Sequence, residues 1–231
     1  MKDIVVNNLS NSIRNSDTDD QNVETIIRVD EMKEKIIVDK ILSDVIENSD
    51  AETQNALGFC YKEGLNVIQD TDKAVECFRK AADKGNLAAQ YNLGKCCLDG
   101  ESGHFNEEEG IKLLQQVANQ GNAWPLYDIA RYFLNYDALN FDLKDLDKES
   151  LDKGIGYLQQ AAERGLVRAQ EQLGRIYYYG DGVEKDLAKA EYWTRRAAEQ
   201  TTNYSEQLVN LLDQMRIPYI EIGLNEYALI K

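Results

Sequence analysis

The amino-acid sequence predicts an all-α protein, a solenoid built from four helix-turn-helix repeats. Three observations support this fold class. The chain has 231 residues and only two prolines, and it is rich in residues that favour helices. Two sequence landmarks recur along it in step. A residue suited to capping a helix recurs at one point of every repeat.

The repeat is defined by two landmarks. The first is a Leu-Gly pair at residues 57–58, 93–94 and 173–174, with Ile129-Ala130 as the remaining copy. The second is an Ala-Ala pair at residues 81–82, 161–162 and 197–198, with Val117-Ala118 as the remaining copy. Successive copies are 36, 36 and 44 residues apart for the first landmark, and 36, 44 and 36 for the second. Because both landmarks recur at matching spacings, they indicate four repeats, and we call this series of spacings the ladder. The third repeat is enlarged by an insertion of eight residues.

Each repeat is predicted to contain two helices joined by a glycine-bearing turn. The glycine of the first landmark lies among apolar residues at helical spacing, where it allows a second helix to approach closely. The second helix is predicted to begin at an N-cap, because short polar side chains accept hydrogen bonds from the free N–H groups of a first turn. The four predicted caps are Asp70, Asn106, Ser150 and Asp186.

The ladder divides the chain into four predicted regions. Residues 1–22 are rich in Asn, Ser and Asp and are expected to be disordered. Residues 23–49 are predicted to form an N-terminal capping helix, and residues 205–231 a C-terminal capping helix followed by an apolar tail that is at least partly ordered. Between them, residues 50–204 hold the repeats, predicted at 50–87, 88–122, 123–167 and 168–204.

The segment from Gln172 to Asp186, with the following Lys189-Ala190, Tyr192-Trp193 and Arg196-Ala197-Ala198, closely resembles a Sel-one-like repeat. This family is similar to tetratricopeptide repeats. The resemblance covers roughly residues 51–204 and is weakest in the third repeat, where Ala130 replaces glycine and the turn is expanded over 135–149. It implies a right-handed α/α superhelix whose first helices line a concave surface used to scaffold protein complexes. It implies no reaction and no cofactor.

The charge of the chain restricts its partners. A net charge of -15 opposes nucleic acid, which attracts positive surfaces. A protein or peptide partner is therefore expected. The sequence shows no signal peptide and no run long enough to span a membrane. We expect a cytoplasmic protein that is monomeric when free.

Residues typical of catalytic and metal sites are scarce. His104 is the single histidine and is expected to be a solvated loop residue, so no metal site is predicted. Phosphate-binding, dinucleotide-binding and nucleophile motifs are absent from the sequence. Each of the four cysteines occupies a position that is apolar in another repeat, which favours a packing role over a redox role. We predict that the protein is not an enzyme.

A candidate binding surface follows from the first helices. If these helices line the concave side, the residue after each glycine position points into the groove, and its neighbours three and seven residues away share the face. The resulting strip interleaves basic and aromatic side chains, the types that supply binding hot spots; an ordinary solvated helix face is the alternative interpretation. The predicted groove residues are Phe59, Lys62, Tyr91, Lys95, Trp124, Tyr127, Arg131, Arg168, Arg175 and Tyr178.

The function predicted from the sequence is an adaptor that holds a partner protein or peptide in the groove. The alternative is an acidic inhibitor or immunity-type protein that caps a basic enzyme or toxin, which would fit the high acidity, the small size and the lack of catalytic motifs.

Overall fold

A computed structural model describes residues 44, 46–100, 103–135, 143, 146–223 and 226–229. The segment predicted to be disordered and most of the predicted N-terminal cap lie outside these residues; residues 44 and 46–48 are helical. The chain divides into two compact units at Ser49/Asp50, and the second unit is described below.

The second unit is an α/α solenoid, as predicted. Its helices pair as four repeats, α1 with α2, α3 with α4, α5 with α6 and α7 with α8, and α9 follows as the start of a degenerate fifth. A β-hairpin is the last element that the structure describes. The elements are α1 Ala51–Glu63, α2 Thr71–Asp83, α3 Leu87–Asp99, α4 Glu107–Ala118, α5 Trp124–Phe133, α6 Lys148–Glu163, α7 Val167–Tyr179, α8 Leu187–Gln200, α9 Glu206–Met215, β1 Tyr219–Gly223 and β2 Glu226–Leu229.

Each helix packs against its neighbours along the chain, and several first helices also pack against one another. The contacts between first helices join α1 to α3, α3 to α5 and α7 to α9. In a curved stack of helix pairs, the helices that lie closer together occupy the inner side. The first helices therefore form the concave face of the solenoid, and the second helices form its outer face.

The glycines of the first landmark lie where two helices approach most closely. A Cβ atom added to Gly58 would lie 2.7 Å from the Phe78 ring, and one added to Gly174 would lie 2.6 Å from the Thr194 hydroxyl. Real side chains essentially never come this close. The recurrence of glycine in the first helix is thus explained by helix packing, as the sequence predicted.

Three of the four predicted N-caps are confirmed. The side chains of Asp70, Asn106 and Asp186 each accept a hydrogen bond from a backbone N–H in the first turn of the following helix. The prediction of Ser150 is wrong, because α6 begins almost one turn earlier and Asp147 caps it. The Ser150 amide donates to Asp147 Oδ1 at 2.9 Å.

Buried glutamines join consecutive repeats. Gln170 is fully buried, and its Nε2 donates to the Ala162 carbonyl oxygen at 2.9 Å. Gln90, two repeats earlier, is half-buried and its Nε2 reaches the Ala82 carbonyl oxygen in the same way at 3.5 Å. Each bond adds a second donor to a carbonyl oxygen at the end of a second helix, which also accepts from the backbone amide of Gly85 or Gly165.

The cysteines are thiols that pack as apolar residues. Cys77, Cys96 and Cys97 are buried, Cys60 is half-buried, and none of them forms a disulfide. Burial raises the pKa of Cys77 to about 12 and that of Cys97 to about 11. Both therefore stay protonated near neutral pH, which is consistent with the packing role predicted for them.

The C-terminal tail is partly ordered, as expected, but as strands. Strands β1 and β2 pair antiparallel, with Tyr219 opposite Leu229. Tyr219, Tyr227 and Leu229 pack on a cluster that includes Tyr204 and Leu208. The Tyr227 amide also donates to the Thr202 carbonyl oxygen at 2.7 Å. The hairpin thus covers the last helices.

Candidate protein-binding surface

The central register of the predicted groove lies on four first helices. Phe59 on α1 is exposed, and Lys95 on α3, Arg131 on α5 and Arg175 on α7 are each half-exposed. Each residue follows the close-packing position of its helix and is therefore rotated by about 100° from the side that faces the second helix. One aromatic and three cationic groups therefore follow one another along the solenoid.

Acidic side chains accompany the cations between α3 and α5. An open pocket of about 490 Å³ is lined there by Lys95, Asp99, Asp128 and Arg131, among others. The Tyr91 hydroxyl donates to Asp128 Oδ2 at 2.6 Å, and Arg131 Nη1 lies 3.8 Å from Asp128 Oδ1. The pocket thus carries both signs of charge, whereas the sequence predicted a basic strip.

The phenol of Tyr91 is fixed by this arrangement. Burial, and then the hydrogen bond to Asp128, raise the pKa of Tyr91 above its ordinary value. Lys95 Nζ lies 5.8 Å from the centroid of the same ring, within reach of a cation–π attraction. Tyr91 therefore stays a neutral donor that joins α3 to α5 and presents part of its ring to the groove.

A second opening lies between α7 and α9. It has a volume of about 350 Å³ and is lined by Arg175, Tyr179, Asp181, Gln207 and Gln214, among others. The Tyr179 hydroxyl donates to Gln214 Oε1 at 2.7 Å. As in the first pocket, a cation lies beside an acid and a tyrosine bridges two first helices.

Tyr127 corrects the predicted set. It is only 4% exposed and belongs to the core, so it offers almost no surface to a partner. Tyr91, at the same register of the preceding repeat, is half-buried, whereas Tyr127 is buried in a core cluster that also contains Leu126 and Ala130. The adjacent Trp124 stays exposed and meets Tyr127 edge to face, with ring centroids 5.8 Å apart.

The remaining predicted residues lie at the margins of the groove. Lys62 is half-exposed in the last turn of α1, and Arg168 is exposed at the start of α7. Tyr178 is half-buried against the core, with Lys185 Nζ 5.0 Å from its ring centroid. Part of the Tyr178 surface is therefore already covered by a residue of the same chain.

Sequence reasoning missed a series of polar contacts between consecutive first helices. Asn92 Nδ2 donates to Asn55 Oδ1 at 3.0 Å, and the Ser205 hydroxyl donates to Glu171 Oε1 at 2.9 Å. Burial raises the pKa of Glu171. The partners lie about one repeat apart in the sequence. A search for polar pairs at that spacing could have found them.

The single histidine of the chain forms a contact between repeats. His104 Nε2 lies 2.8 Å from Asp72 Oδ1, so its ring bridges two repeats and is not simply solvated. Within the described ranges, no group of three or more His, Cys, Asp or Glu side chains could hold a metal ion. None of the helices in the same part of the chain combines the length and apolarity needed to cross a bilayer.

The repeat itself matches a known family model, the Sel1 repeat, over residues 51–86, 87–122, 140–166 and 167–201. The chain belongs to the Sel1 repeat family. The resemblance found in the sequence is thereby confirmed. Sel1 repeat proteins generally serve as adaptors in protein interactions and are typically non-catalytic.

Two curated Sel1-like relatives illustrate the range of the family. A putative sel1-like repeat-containing protein of Acanthamoeba polyphaga mimivirus is 29% identical over 64% of this chain and 25% of its own length. An exopolysaccharide production negative regulator of Rhizobium meliloti is 27% identical over 54% of this chain and 49% of its own length. The chain thus spans a quarter of the first relative and about half of the second.

A solved structure agrees with the solenoid. The protective antigen c5321 of uropathogenic Escherichia coli, which displays an SLR fold, superposes with a TM-score of 0.54 at 29% identity. The match covers 74% of this chain and 34% of that protein.

Proposed function

We propose that this Sel1 repeat protein is a non-enzymatic adaptor that holds a partner protein or peptide in its concave groove. The observation that carries the proposal is the register of Phe59, Lys95, Arg131 and Arg175, which places one large aromatic and three cations on successive first helices. Aromatic and arginine side chains supply much of the energy at protein interfaces.

The two openings suggest how a partner would be held. Arg131 and Arg175 can each bind a carboxylate through two parallel hydrogen bonds, which Lys95 cannot. Because Asp128 already faces Arg131 at 3.8 Å, a partner carboxylate would share that guanidinium. Exposed Phe59 and Trp124 would bury apolar surface and exclude water around these charges. We therefore expect a partner segment that combines carboxylates with apolar side chains.

The test requires a partner, isolated by cross-linking and affinity purification and then purified for titration calorimetry. The groove variant is Arg131→Glu with Arg175→Glu. The control is Lys112→Glu with Lys148→Glu, which reverses two exposed charges on the second helices α4 and α6. Arg79 and Arg195 are unsuitable controls, because they pair with Glu109 and Glu191.

The groove variant should weaken binding by about 2 kcal/mol or more if its arginine contacts are desolvated, and the control should bind as the wild-type protein does. Arg131→Ala and Arg175→Ala check that the loss does not depend on introducing a negative charge beside Asp128. Unchanged binding by the groove variant, with lost binding by the control, would move the interface to the outer face.

The acidic inhibitor remains a second candidate because of the outer face. Asp72, Glu108 and Asp152 occupy equivalent positions near the starts of α2, α4 and α6, and all three are exposed. This row suits a basic protein surface. An inhibitor would form a complex of one chain with one basic protein, whereas an adaptor would purify with several partners. Size-exclusion chromatography with light scattering distinguishes these outcomes.

A further inference from the structure

An exposed apolar patch lies outside the groove, on the turns that join the two helices of repeats 1 and 2. Ile68 is 71% exposed, Phe105 is 56% exposed and Leu65 is 48% exposed. We call these three residues the turn patch. Single exposed apolar residues are common on proteins, whereas several on adjacent turns are a feature of interaction sites.

One contact holds the two turns together. His104 Nε2 lies 2.8 Å from Asp72 Oδ1, which ties the end of the second turn to the start of α2. Phe105 follows His104 directly, and Ile68 lies four residues before Asp72 in the sequence. Phe105 also lies beside Tyr132, with ring centroids 6.4 Å apart. The apolar side chains are therefore carried by turns that the fold holds next to each other.

Acidic side chains border the turn patch. Asp72 and Glu108 are exposed, and Glu63 is exposed at the end of α1. Glu107 accepts a hydrogen bond from the Tyr132 hydroxyl at 2.7 Å. Lys73, in the first turn of α2, has its Nζ 4.0 Å from Asp70 Oδ2. The border is thus negative, in a chain whose net charge is -15.

We propose that the turn patch binds a basic amphipathic helix of a partner protein, with its apolar face on Ile68 and Phe105 and its cations on Asp72 and Glu108. An apolar centre with a charged rim is the usual anatomy of a specific interface, and the sign of the rim selects the partner. A second copy of this chain would bring like charges together, and an anionic lipid surface would be repelled. The proposal does not depend on the groove.

The experiment uses the full chain and a defined probe. The probe is a peptide of about 18 residues, five helical turns, made of leucine and lysine with all leucines on one face. One comparison peptide replaces the leucines by serine and keeps every lysine. Another replaces the lysines by glutamate. Binding is measured by fluorescence anisotropy and located by hydrogen exchange.

We expect the leucine–lysine peptide to bind and to protect residues 65–73 and 103–108 from exchange. Ile68→Ser with Phe105→Ser should weaken it by about tenfold or more, as truncation of central contacts does. The matched control, Leu87→Ser with Leu187→Ser, removes two exposed leucines from the first positions of α3 and α8 and should leave binding unchanged. Asp72→Asn with Glu108→Gln should also weaken binding and reduce its dependence on salt.

Several results would overturn the proposal. One is that the leucine–lysine peptide does not bind, or that it binds the Ile68→Ser, Phe105→Ser variant as tightly as the wild type. Another is equal binding of the serine–lysine peptide, which would make the general negative charge of the chain the cause. A third is protection from hydrogen exchange in the groove instead of the turn patch. The last is dimerisation of the wild-type chain but not of the turn-patch variant in sedimentation, which would make a second copy the occupant.

Discussion

Repeats 2 and 3 bring their two helices together with glycines in different places. In repeat 2, Gly94 of α3 and Gly110 of α4 face each other: a Cβ atom on Gly110 would lie 3.0 Å from the Gly94 carbonyl oxygen. In repeat 3 the first helix carries Ala130, which is fully buried, and only the second-helix glycine, Gly154, remains. The close approach is kept although the glycine that marks it in the sequence is lost.

Whether the second helix carries glycine or alanine depends on the size of the first-helix residue opposite it. A Cβ atom on Gly154 would lie 2.5 Å from the Leu134 side chain, and one on Gly110 would lie 2.9 Å from Leu98. Leu98 and Leu134 occupy the same register. Repeats 1 and 4 have no leucine there, and the second helix then carries Ala74 or Ala190. A leucine at this position of the first helix thus requires a glycine at the facing position of the second helix.

The largest expected effect tests this requirement in repeat 3. Gly154→Ala should lower the free energy of unfolding by about 1–3 kcal/mol, because the new methyl group overpacks the contact with Leu134. Gly156 in the same helix has no atom within 4 Å of an added Cβ. Gly156→Ala should therefore raise stability by about 0.5–1 kcal/mol. Urea unfolding measures both, and equal effects would refute the packing explanation.

Restoring the first-helix glycine tests whether repeat 3 is stable with alanine at that position. Ala130→Gly restores the glycine but deletes a fully buried methyl group and loosens the helix. We expect a loss of about 1–2 kcal/mol, the sum of the two costs. Thermal unfolding with Ala130→Ser as a second variant checks this value. A gain in stability would show that repeat 3 is strained by its alanine and that the glycine is required in every first helix.

The contrast between the repeats also explains what the sequence could predict. Gly58, Gly94 and Gly174 recur because every repeat must solve the same packing problem, so the fold and the first-helix face followed from local signals. Tyr127 could not be placed, because a ring at the edge of a groove turns inward or outward according to the space beneath it. The Tyr91–Asp128 contact depends on how two repeats are stacked, which no single repeat encodes.

The hairpin was missed for a similar reason. Its strands span Tyr219–Gly223 and Glu226–Leu229, which is too short for a clear alternating pattern, and its inner side chains pack against Tyr204 from a distant turn. The repeat spacing predicts Ser150 as the cap. Asp147 lies three residues earlier and has an equally suitable side chain, so register alone could not decide between them.

The cap of α6 gives the next prediction. Asp147→Ala should lower the melting temperature, because the first-turn amide of Ser150 loses its acceptor. Ser150→Ala should change it little, since the Ser150 side chain has no capping role in this helix. Differential scanning calorimetry of the two variants separates the positions. A larger loss for Ser150→Ala would place the start of α6 at the residue that the ladder predicted.

The smallest expected effect is a loss of stability at low pH, and it should differ between repeats 3 and 2. The hydrogen bond from the Ser150 amide lowers the pKa of Asp147 from its ordinary value, whereas α4 is capped by Asn106, which does not titrate. A carboxylate whose pKa is lowered on folding stabilises the protein above its unfolded pKa, and this contribution is lost as the pH falls through the folded value. Asp147→Asn keeps a competent cap, so the difference in urea midpoint between wild type and variant should shrink as the pH falls below about 4, the ordinary pKa of an aspartate. Asn106→Asp is the reciprocal change and should give repeat 2 a new loss of stability in the same range. If Asp147→Asn follows the wild-type curve throughout and Asn106→Asp adds no acid sensitivity, the capping carboxylate does not distinguish the two repeats.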